Sequence, residues 1–126
     1  EDSIISIDNA YTINTGDECL VRGEKGKVIS IEFNNKEKEK IKGEFIGVGK
    51  FSTEFMERFY EFLQKFFEKM GKNLNYEIAL NDFIQKEKIK LSYLESNGLP
   101  WVNINYKEDY YLAQERILPL VLSNDS

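Results

Sequence analysis

Gly43-Glu44-Phe45-Ile46-Gly47-Val48-Gly49-Lys50-Phe51-Ser52, followed by Thr53-Glu54-Phe55-Met56-Glu57-Arg58-Phe59-Tyr60, decides how the chain folds. Gly43 to Phe51 is glycine-punctuated and apolar, and it reads as a strand. Ser52 is a good N-cap, and Glu54 suits the positive end of a helix that begins there. Phe55, Phe59, Phe62, Leu63, Phe66, Phe67 and Met70 then recur at helical spacing, and Gly71 supplies the stop. A strand running straight into an amphipathic helix is the unit of α/β architecture. The phenylalanine stripe is read as core.

The same alternation extends outward. Asn75 can cap a second helix over Tyr76 to Lys86. Ile89 to Leu94 and Val102 to Asn105 read as strands, and Lys107 to Leu118 as a last helix halted near Pro119. On the N-terminal side Ser3 to Asn9 is a strand. Glu18 to Arg22 and Val28 to Phe33 pair through the hairpin turn Glu24-Lys25-Gly26-Lys27. Residues 34–42 (NNKEKEKIK) form a charge run and are expected as a solvated surface loop. The expectation is one α/β domain, with a mixed sheet and flanking helices.

Composition narrows the function. The 126 residues suffice for one core, and 41% hydrophobic with 13% aromatic residues indicates a folded chain rather than a disordered one. A formal charge of -5 offers no general attraction to nucleic acid or anionic lipid. No apolar run approaches the ~20 residues of a membrane span. Glu1-Asp2-Ser3 lacks the features of a signal peptide, and one cysteine, Cys19, allows no internal disulfide, so a cytoplasmic setting is expected. The absence of histidine removes triad, imidazole acid/base and His-zinc chemistry from this chain. Any metal would be a hard cation on oxygen ligands, with magnesium the natural candidate. Gly43, Gly47 and Gly49 lie inside a strand and have no following Lys-Ser/Thr, so they make no phosphate-binding loop.

Three segments carry a resemblance. Gly43–Ser52 (GEFIGVGKFS), Tyr76–Ile84 (YEIALNDFI) and Gly98–Asn105 (GLPWVNIN) are similar, in this order, to segments in the second half of GT-A-like, MobA-like nucleotidyltransferases. The nearest subgroup is the cytidylyltransferases of small phosphate or phosphonate alcohols such as phosphocholine, aminoethylphosphonate or inositol phosphate. The resemblance spans Ser3 to Leu118. It implies the C-terminal, acceptor-binding part of a domain that transfers a nucleotidyl group, CMP from CTP, to such an acceptor with magnesium, and that is inactive alone.

The resemblance also implies roles. Asn105 takes the position of a magnesium ligand, where the family has aspartate. Glu44 would hold the acceptor, Tyr76 and Glu77 would line its pocket, Trp101 would help bind the substrate, and Lys50 would contact phosphate. The family's glycine-rich NTP loop and its other magnesium aspartate have no counterpart in this sequence.

The residues also admit structural readings. Glu44 could belong to a buried pair. Asn105 could cap the last helix, with Glu108 and Asp109 in its first turn. Tyr76 and Glu77 could be helix-start residues, Trp101 core, and Lys50 solvent-facing. The competing function is a non-enzymatic α/β binding or interaction module. Half a sheet would leave an open edge and exposed apolar surface, so self-association is expected.

Overall fold

A computed structural model describes residues 2–10, 17–33 and 39–124. They form a mixed α/β structure in two compact units, residues 1–96 and 97–126.

The first unit holds β1 (Ser3–Asp8), β2 (Cys19–Glu24), β3 (Lys27–Phe33), β4 (Ile41–Lys50), α1 (Thr53–Met70), α2 (Tyr76–Lys86) and β5 (Leu91–Glu95). The hairpin forms as the turn residues dictate. Lys25 and Gly26 both take positive φ, 51° and 78°, the geometry whose twist matches two antiparallel strands. β4 begins at Ile41, so Ile41 and Lys42 are strand rather than loop. Of the expected loop, residues 34–38 lie outside the described residues, and Glu39 and Lys40 form an exposed turn.

The strands do not leave the open sheet expected from the sequence. They close into a barrel in the order β1-β4-β2-β3-β5. β1 runs antiparallel to β4 and parallel to β5. The last seam is thin: β3 and β5 pair only at Lys27 and Ser92, with Tyr93 N–H donating to the Gly26 carbonyl at 3.1 Å. Apolar period predicts which face of a strand is buried, whereas closure depends on partners far apart in sequence.

Ser3, Ile5 and Ile7 of β1 point inward and alternate with half-buried Ile4, Ser6 and Asp8, as a pleated strand requires. Ile5, Ile7, Val21, Ile31 and Leu91 join the buried faces of both helices in one core. On α1 the buried residues are Phe55, Phe59 and Phe66. Phe62, Leu63 and Phe67 are half-buried, whereas Met70, at the end of the stripe, is 55% exposed. Ser52 caps α1 by accepting from Phe55 N–H at 3.1 Å. Asn75 stands at the N-cap of α2, but its side chain makes no capping hydrogen bond.

The second unit departs from expectation. Val102 to Asn105 adopts no strand, and no strand is present among residues 97–124. A run as short as Val102 to Ile104 needs a neighbouring ladder to be stable. Lys107–Leu112 (α3), a π-helical turn at Ala113–Ile117, and Leu118–Asn124 (α4) follow one another directly. Pro119 therefore does not end the helix; it occupies the second position of α4. Proline leaves a helical carbonyl without its donor, and the wider turn before it absorbs the misfit, with Leu118 N–H reaching the Ala113 carbonyl. No residue of these helices is buried; Leu118, Leu120 and Leu122 are exposed. Among the described residues, no helix is long and apolar enough to cross a membrane.

Candidate functional site

One end of the barrel gathers carboxylates. β1 ends at Asp8, β2 begins at Cys19 directly after Glu18, and β4 passes between them with Glu44 opposite both Asp8 and Leu20. α2 starts beside this end, because Tyr76 packs edge-on against Phe45, the neighbour of Glu44 (ring centroids 6.4 Å, 72°). Asp8, Glu18, Glu44 and Glu77 are all half-buried. Asp8 Oδ1 accepts from Ala10 N–H at 3.0 Å and from the Ser96 hydroxyl at 3.3 Å.

The electrostatics follow from that crowding. Burial raises the Glu44 pKa above the ordinary value, and the charges of Glu18 and Asp8 raise it further. Burial, then Glu77, then Glu44 push the Cys19 thiol up to about 12, so it is protonated and a poor nucleophile at neutral pH. Burial, Glu77 and Cys19 raise the Tyr76 phenol as well. This end of the barrel carries several carboxylates, and each would gain by the approach of a cation.

This arrangement has a measurable cost. A glutamate whose folded pKa lies above its unfolded value binds protons more readily when folded, so it subtracts stability as pH rises through that window. Glu44→Gln should therefore raise the thermal midpoint at pH 7, and the gain should fade as pH falls into the ordinary carboxylate range. Melting curves of both proteins across that range check it.

Of the residues singled out in the sequence, the structure places Glu44, Tyr76 and Glu77 at the same end of the first unit, with Tyr76 against Phe45 and with Glu44 and Glu77 both acting on Cys19. It places Lys50 elsewhere, exposed at the other end of β4 opposite Ile4. Six residues of strand correspond to roughly 20 Å. Trp101 is half-buried and Asn105 exposed, both in the second unit. Asp8, Glu18 and Cys19 were not singled out. Asp8 carries a signal, since it stands at the carboxyl end of a strand, where ligands gather in α/β sheets.

Around Asn105 the chemistry is that of a helix start. Asp109 Oδ2 accepts from the backbone N–H of Asn105 at 3.0 Å and of Tyr106 at 2.9 Å, and Tyr106 is the N-cap of α3. The carboxylate thus satisfies two donors that a helix leaves free. The Asn105 side chain does not provide the cap, and the nearby acid is already engaged. Among the described residues, no three acidic or cysteine side chains are grouped to hold a metal ion. These residues by themselves do not fit magnesium.

A cavity of about 310 Å³ lies at the opposite end of β1, beside Ser3, Ser52 and the start of α1. Arg58, Lys88 and Lys90 line it together with Asp2 and Glu54, and Arg58 pairs with Glu87 at 3.1 Å. Its lining thus carries three positive charges and two negative ones, with one of the positive charges paired outside it.

No protein-family model matches the chain, and no curated protein matches it.

Proposed function

We propose that the chain is the acceptor-binding part of a GT-A-like nucleotidyltransferase that transfers CMP from CTP to a small phosphate or phosphonate alcohol. The observation that carries the reading is convergence. Glu44 lies on β4, and Tyr76 and Glu77 start α2, which packs by Tyr76 on Phe45, the residue after Glu44; the charges of Glu44 and Glu77 both act on Cys19. Glu44, Tyr76 and Glu77 are the residues that the resemblance assigns to the acceptor. The ordered likeness of the three sequence segments is its second support.

The site's charge orients the acceptor. A cationic head group would enter among Glu44, Glu77 and the Tyr76 ring, where carboxylates and an aromatic face stabilise it. Its phosphate, repelled by the same carboxylates, would face away, toward the nucleotide. The triphosphate cradle and the magnesium ligands are not among the residues described, so the chain alone is expected to release no pyrophosphate. One observation favours a non-enzymatic binding module instead, namely that Asp109 caps a helix where the resemblance would have a metal site.

Nuclear magnetic resonance titration of the labelled chain with phosphocholine and with aminoethylphosphonate tests the proposal. The largest shifts are expected at Cys19, Glu44, Tyr76 and Glu77. Shifts confined to other residues, or none at millimolar ligand, would reject it.

A further inference from the structure

The thin seam of the barrel exposes a problem that the fold has solved. Among the described residues, β3 has no strand on its β5 side beyond Lys27. Its outward groups there include the Ile31 N–H and the Ile29 carbonyl, and two residues apart on a strand they point the same way. Both are taken by α2. Asn81 Oδ1 accepts from Ile31 N–H at 2.9 Å, and Gln85 Nε2 donates to the Ile29 carbonyl. Asn81 and Gln85 are four residues apart and share one helix face. One presents an acceptor and the other a donor, the pair that a neighbouring strand would present.

We infer that Asn81 and Gln85 make α2 a surrogate strand, closing the β3 edge against pairing with a second copy of the chain. The inference is independent of the proposed function. An uncovered strand edge offers its N–H and C=O groups to any other strand, and covering it with a helix is one of the ways proteins prevent this. The intruder is chemically defined by the geometry: the β3 edge of another molecule, running antiparallel, offers the same two groups in return. Asn81 also gains a reason to be an amide. It is half-buried, and its carbonyl oxygen is what the β3 amide needs.

Amide hydrogen exchange at Ile31 separates this role from simple packing. Asn81→Asp keeps an acceptor and Asn81→Ala removes it. Exchange at Ile31 should be about fivefold faster in Asn81→Ala than in Asn81→Asp, the worth of one net hydrogen bond. Both variants are compared as folded proteins by circular dichroism. In sedimentation, the double variant Asn81→Ala/Gln85→Ala should associate at concentrations where the wild-type chain does not. Equal exchange in the two single variants, or a double variant that sediments like wild type, would overturn the inference.

Discussion

Phe83→Ala should lower the stability of the first unit by about 3–5 kcal/mol. Phe83 is completely buried on α2. Its ring centroid lies 5.3 Å from that of Phe55, 5.1 Å from Phe59 and 5.3 Å from Phe62, all on α1. Removing it would strip three rings of a shared partner and open a hole where the helices meet. Rings on a helix backbone relax little, so the cavity would persist and its cost would add to the lost burial. Urea denaturation gives the number. Tyr60→Ala is the control, since Tyr60 on α1 is 63% exposed and should change stability by about 0.5 kcal/mol or less. A Phe83→Ala midpoint matching the control would mean that the α1–α2 packing is wrong.

Gly43→Ala should be nearly as damaging, for a different reason. A Cβ at Gly43 would sit 2.3 Å from the Asp8 carbonyl oxygen and 2.7 Å from its carbon. Both are backbone atoms, so no side chain can swing aside. Relief would require β1 to lift from β4 near the Asp8–Glu44 and Ile7–Phe45 pairs. Such overpacking costs typically ~1–3 kcal/mol, occasionally more. The strands that would part also carry Asp8 and Glu44, so the substitution should blunt any response to ligand. Denaturation and the ligand titration, run on the same variant, check the two effects. Wild-type values in both would show that β1 does not approach β4 this closely.

Local signals in the sequence were read well where local chemistry decides. Lys25-Gly26 fixed a hairpin, Ser52 fixed the start of α1, and the Tyr76 to Lys86 helix appears with those bounds. The phenylalanine stripe buried the face that its period indicated, apart from its last residue. What failed were features that depend on distant partners. Barrel closure rests on β1 meeting both β4 and β5, which periodicity cannot report. Val102 to Ile104 has the composition of a strand but no ladder to join. Pro119 should break a helix, but the π-helical turn before it moves the mismatch away.

The candidate site was legible in part for the same reason. Glu44, Tyr76 and Glu77 belong to contiguous segments, and the packing of Tyr76 on Phe45 brings those segments to the same end of the unit. Asp8 and Glu18 flank Glu44 because β1 and β2 both pair with β4, and only the strand-end position of Asp8 marked either of them locally. Asn105 looked like a ligand at the end of a strand, and the strand is not there. The role of Asn81 needed the thin seam to be visible.

Calorimetric titration of phosphocholine into wild-type protein and Glu44→Gln tests the central claim most directly. Glutamine keeps the shape of the side chain and removes its charge. If Glu44 holds a cationic head group, its affinity should fall about tenfold or more, corresponding to ~1.4 kcal/mol, while the thermal midpoint at pH 7 rises. Equal affinity in the two proteins, or no binding by the wild type, would contradict the account.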